Sequence, residues 1–153
     1  MRSTQGTSQD VIERQIEINA SPETVWTLIS KTGFWAGERL QFGVDAVVGN
    51  IDRLDAGTYG TFPVEVVALD PPRYAAYRWA SGFPNQDLTE TNATLVEFTI
   101  EPQQAGVVVR VRESGFAALE GTHAFREDNF RGNSEGWKAQ LDQLKTAAER
   151  ETR

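Results

Sequence analysis

Glu113 is the residue of this chain whose type and position best suit chemistry. In the run from Val107 to Glu113, Val107, Val109 and Val111 alternate with Arg110 and Arg112. That period of two puts the valines on one face of a strand and carries Glu113 onto the same apolar side. A carboxylate facing an apolar cavity has its pKa raised by desolvation, which fits general acid/base work or the anchoring of a ligand hydroxyl or amine. The structural alternative is a strand-end glutamate that reaches water or pairs with an arginine. Arg14, Arg78 and Arg112 are the available partners, although alternation sends Arg78 and Arg112 to the outer face. His123, the only histidine, lies in an irregular segment near Glu120, Glu127 and Asp128. It is either a general base at a pocket entrance or a solvated loop residue. Glu127 and Asp128, just ahead of a predicted helix, are accounted for by the helix dipole.

The totals narrow the chemistry further. With no cysteine there is no disulfide, thiolate metal site or cysteine nucleophile, and one histidine excludes a multi-histidine metal centre. No phosphate-cradling glycine motif or dinucleotide fingerprint is present, so no cofactor is expected. A net charge of -7 argues against nucleic acid. No apolar run approaches a membrane span and the first residues lack the order of a signal peptide, so a cytoplasmic protein is expected. Against this polar average stand four Trp, eight Phe and three Tyr. Rings in that number must pack together or line a cavity.

The elements that position them begin with a polar tail, residues 1–10, followed by a strand from Val11 to Ile18 with Ile12, Ile16 and Ile18 on one face and Arg14 beside them. Ser21-Pro22-Glu23 reads as a helix start: N-cap, proline in the first turn, and an acid at the positive end of the dipole. A brief second helix at Phe34–Gly37 is expected to lay Phe34 or Trp35 over the core. Two or three strands should follow between Gln41 and Leu69, broken at Gly49-Asn50 and at Asp55-Ala56-Gly57. Further strands are predicted at Tyr74–Ala80, after the Pro71-Pro72 turn, at Thr94–Glu101 and at Val107–Glu113. The stretch from Phe130 to Glu149 is an amphipathic helix with Phe130, Trp137, Leu141, Leu144 and Ala148 on one face. Gly132 and Gly136 weaken its first half by about 1 kcal/mol each. A helix with glycines there has either a close backbone neighbour or room for something beside Trp137.

Strand, two short helices, a run of antiparallel strands and a long final helix make an α+β order in which a curved sheet of six or seven strands wraps a helix. Four phrases in this order, "IEINASPETVW", "LDPPRYAAYRW", "VRVRESGF" and "GWKAQLDQL", resemble the START-like (SRPBCC) superfamily. The likeness is greatest to the branch named for homologues of the heat shock protein 90 ATPase activator, near the polyketide cyclase/dehydrase branch. The resemblance spans residues 11–149 and implies one helix-grip domain with a hydrophobic pocket between sheet and final helix, leaving residues 150–153 as a frayed end. Members of the superfamily bind lipids, hormones or polyketides, catalyse cyclisations, or assist a chaperone, so fold alone does not select among these.

Strand alternation and the helical stripe aim Tyr77, Trp79, Phe98, Val109, Val111, Trp137 and Leu141 at one volume, with Glu113 at its edge. Core packing is the structural alternative for each. Trp35 and Phe116 are placed either to close the pocket's mouth or to plug the end of the sheet. Three functions compete. The first is binding of a small apolar or amphipathic molecule. The second is a cyclase- or dehydrase-like reaction with Glu113 as acid/base and Tyr77 as hydrogen-bond donor. The third, implied by the resemblance alone, is a partnership with a chaperone. An exposed edge strand such as Val11–Ile18 also offers a surface for a homodimer.

Overall fold

In the computed structural model, which describes residues 10–36 and 44–151, the alternating stretches form six strands. They are β1 (Val11–Ile18), β2 (Ile51–Asp55), β3 (Thr61–Asp70), β4 (Tyr74–Trp79), β5 (Thr94–Gln103) and β6 (Gly106–Ser114). All pair antiparallel in one curved sheet in the order β1-β6-β5-β4-β3-β2, so the first strand closes against the last. Gly49, with φ +94, and the short 3-10 turn at Gly57–Tyr59 occupy the two breaks that the sequence predicts before β3.

The helix α1 (Pro22–Ile29) starts where its capping sequence says, with the Ser21 hydroxyl accepting the Thr24 N–H at 3.1 Å. It buries Val25, Leu28 and Ile29 beneath β5. The second short helix does not form among the described residues. Gly33 instead adopts φ +66, where a Cβ would lie 1.8 Å from Leu54 Cδ1. The left-handed residue stops helical propagation and lets the backbone press against β2. Two single turns follow, Phe34 N–H to the Lys31 carbonyl and Ala36 N–H to the Gly33 carbonyl, and both Phe34 and Trp35 are buried. Gly37 and the expected strand start at Gln41 lie outside the described residues.

The final helix, α2, spans His123–Glu151 and so begins well before Phe130. Its start is set by Thr122, whose hydroxyl accepts the Phe125 N–H at 3.1 Å. His123 is therefore helical and not in a loop. It is solvent-facing and 3.5 Å from Glu127, and Glu127 and Asp128 fall in the second turn, beyond the reach expected of a first-turn dipole effect. Trp137, Leu141, Leu144 and Ala148 form the buried stripe. Along β1 the helix also makes polar contacts. Arg14 donates to the carbonyl and hydroxyl of Ser134, Lys145 donates to the Glu17 carbonyl, and Glu149 accepts the Asn19 N–H. These bonds fix α2 lengthwise, so its first half must stand over the end of the sheet away from β1's tip at Ile18.

At the chain ends, Asp10 accepts the N–H groups of Gly115 and Ala117 through its carbonyl and carboxylate, and α2 continues through Glu151. Residues 1–9 of the predicted tail and residues 152–153 lie outside the described residues.

Candidate functional site

The inward rows of the sheet converge on a block of rings. Trp35 sits at its middle, with ring centroids 5.2 Å from Tyr77, 5.5 Å from Trp79, 5.5 Å from Phe98 and 5.7 Å from Trp137. Trp35 thus fills the centre of the sheet's concavity instead of guarding its rim. Beside it lies a cleft of about 410 Å³ between the β3–β4 end of the sheet and the middle of α2, within the size range of small-molecule sites. Trp35, Phe62 and Trp79 wall it from the sheet side and Trp137 from the helix. Gly132 and Gly136, one helical turn apart, form its floor. A Cβ built on either meets nothing within 4 Å. Of the two explanations that the sequence allows for these glycines, the structure shows room, not close backbone contact.

Glu113 lies directly behind this wall and is fully buried. β6 presents it inward in line with Val109 and Val111, as alternation requires. Among the described residues no arginine bonds to it. Arg14 is held by Ser134, Arg78 by Glu65, and Arg112 by Glu13 and Glu97. Four neutral groups donate to its carboxylate instead: Trp137 Nε1 at 2.7 Å, Thr94 Oγ1 at 2.6 Å, Trp79 Nε1 at 3.0 Å and Asn133 Nδ2 at 3.1 Å. Burial pushes the carboxyl above its ordinary 4.5, and the bonds from Thr94, Trp137, Trp79 and Asn133 pull the other way. An indole N–H can only donate, so both carboxyl oxygens must keep accepting whatever the protonation state. The Thr94 hydroxyl can do either, which makes it the acceptor available to a protonated Glu113.

The polar rim of the cleft is a relay of neutral groups. Asn133 Nδ2 also donates to Ser81 Oγ at 2.8 Å, and Ser81 donates to Asn129 Oδ1 at 3.1 Å. These bonds tie the segment after β4 to α2. The ring of Phe83, from the same segment, packs 5.1 Å from Phe125.

Of the ten residues singled out from the sequence, Trp35, Trp79 and Trp137 line the cleft. Tyr77, Phe98, Val109, Val111, Phe116 and Leu141 are buried in the core beneath it. The Tyr77 hydroxyl, expected to meet a substrate, donates to the Ile29 carbonyl at 2.7 Å, and burial raises its pKa. Phe116 stacks edge-on against Phe130 at 5.2 Å. It plugs the sheet end and closes no mouth. Sequence reasoning passed over Phe62, Ser81, Thr94 and Asn133. Two of these carried a signal: Thr94 shares the alternating face of Val96 and Phe98, and Asn133 lies one helical turn before Trp137.

Residues 19–149 match the model of the family described as Activator of Hsp90 ATPase homolog 1-like protein. No curated protein matches the sequence. Among solved structures, protein MLL2253 from Mesorhizobium loti is similar with a TM-score of 0.70 and 20% identity, over 92% of this chain and 97% of that one. The Aha1 dimer from Colwellia psychrerythraea is similar with a TM-score of 0.65 and 22% identity, over 91% of this chain and 96% of that one. DynU16, from the dynemicin biosynthetic locus, gives 0.66 and 16% over 90% of this chain, which spans only 46% of that protein. At these identities the likenesses establish the shared fold.

Proposed function

The chain belongs to the family of Activator of Hsp90 ATPase homolog 1-like proteins, and from that premise we propose that it binds a small apolar or amphipathic molecule in the cleft beside α2. The observation that carries this reading is the pair Gly132 and Gly136. Each costs the helix about 1 kcal/mol relative to alanine, yet neither is needed for a close contact, and together they keep open a space walled by five aromatic rings. A helix that served packing alone would gain from side chains at both positions. The rings supply apolar contact area, while Ser81 and Asn133 at the rim offer a few fixed polar contacts, the usual composition of a ligand site.

A cyclase- or dehydrase-like reaction has less support. Glu113 is screened from the cleft by the groups that donate to it, and Tyr77 spends its hydroxyl on a backbone carbonyl. A chaperone-directed role rests on the family's description, and a homodimer on the dimeric state of the Colwellia relative. No described side-chain arrangement favours either.

The test is a titration of lipids, flavonoids and polyketide-like aromatics followed by tryptophan fluorescence and thermal stabilisation. A ligand at one hundred times its Kd should add about 2.7 kcal/mol to the stability. A broad panel that produces neither saturable quenching nor a raised melting temperature defeats the reading.

A further inference from the structure

Glu113 is a fully buried acid held by neutral groups. No lysine, arginine or histidine among the described residues pairs with it, and its four donors are neutral. Two of those donors are the indoles of Trp79 and Trp137, whose rings wall the cleft. A hydrogen bond from an indole N–H to a carboxylate shifts electron density onto the ring, because bonds in a low-dielectric interior polarise one another. The negative faces of Trp79 and Trp137 are deepened in this way, and a negative ring face is what attracts a cation. Among the described residues the lining of the cleft carries no charge that competes.

Ring geometry narrows the shape of such a cation. Trp79 stands at 86° to Trp35 and at 57° to Phe62, while Trp137 is tilted 40° from Trp35. None of these pairs is parallel, so they form no stacked slot for a flat plate. That arrangement suits a compact, rounded head with its charge spread over methyl groups.

We propose that the cleft selects ligands that carry an alkylated ammonium head, with Glu113 as the buried countercharge that acts through the indoles of Trp79 and Trp137. Glu113 is then a positioning and polarising residue that never touches the ligand. This rests on the ligand-binding reading above and makes it specific: the amphipathic molecule is a cationic one.

The test compares choline with 3,3-dimethylbutan-1-ol, which has the same shape with a carbon in place of the charged nitrogen. Binding to the full chain is measured by calorimetry and tryptophan fluorescence. Choline should bind roughly threefold to thirtyfold tighter than the alcohol, the range of a cation–π contribution. The advantage should shrink measurably in Glu113→Gln, which keeps the side-chain shape and removes the acid, while the ring faces retain the rest. Circular dichroism checks that the variant is folded, and the comparison on the native protein stands without it. Equal affinities, a tighter alcohol, an undiminished choline advantage in folded Glu113→Gln, or no binding of either probe overturns the proposal. If apolar compounds from the broader panel still saturate the cleft, the ligand-binding reading survives that failure; if they do not, both fall.

Discussion

Replacing Gly132 and Gly136 by alanine should make the protein more stable while placing methyl groups in its cleft. Both glycines lie inside α2, and a Cβ at either position meets nothing within 4 Å. The substitution therefore adds no clash and removes no contact. What changes is helix propensity, worth about 1 kcal/mol per Gly→Ala exchange. The two sites share no partner, so about 2 kcal/mol is expected for the double variant. For a chain of this size that corresponds to a rise in Tm of about 4–8 °C. In urea the midpoint should move upward with an unchanged m-value, since neither the native nor the unfolded compactness alters. A double variant of equal or lower stability refutes the reasoning, because it means that those positions are already in contact in solution and the space is closed.

Gly136→Leu should fold with near-native stability, leucine being a good helix former, and should lose saturable ligand binding as the side chain occupies the cleft; fluorescence titration checks this. Glu113→Gln should cost about 1–3 kcal/mol in urea unfolding, since its amide NH₂ leaves a buried donor facing other donors. The pH dependence of that cost has a definite sign. The folded pKa of Glu113 is raised above its ordinary 4.5, so the stability that its proton contributes is whole below the unfolded value and is lost as pH rises through the folded one. The gap between native protein and Glu113→Gln should therefore narrow upward from about pH 4.5, and a gap that widens contradicts a raised pKa. Thr122→Ala, which removes the helix cap, should cost about 1 kcal/mol by the same assay.

Much of this was legible because the relevant signals are local. The alternation of Val107, Val109 and Val111 was enough to turn Glu113 inward, and the glycines of the last helix marked the open side of Trp137. The start of α2 was hidden because the segment from His123 to Asn129 is polar apart from Ala124 and Phe125 and continues the stripe only weakly; the cap at Thr122 was the better guide. The sequence laid Trp35 over the core and beside the pocket, but its place at the centre of the ring cluster was not legible. It depends on the left-handed backbone at Gly33, whose Hα faces Leu54 across the fold. The carboxylate cage around Glu113 draws donors from β4, β5 and α2. Such a network has no signature within any one of those elements, which is why alternation could aim the acid inward without revealing what receives it. That six of the expected pocket residues lie in the core away from the cleft lining has one cause: a face pattern separates inside from outside, but does not tell a cavity wall from the packing beneath it.

The most direct test uses the four indole N–H signals in a two-dimensional spectrum of labelled protein during titration with a ligand that quenches fluorescence. Trp35, Trp79 and Trp137 line the cleft, whereas Trp26 sits on α1 away from it. The account predicts saturable shifts of the Trp79 and Trp137 signals with Trp26 unmoved, and their disappearance in Gly136→Leu. Shifts spread equally over all four indoles, or retained in Gly136→Leu, would contradict it.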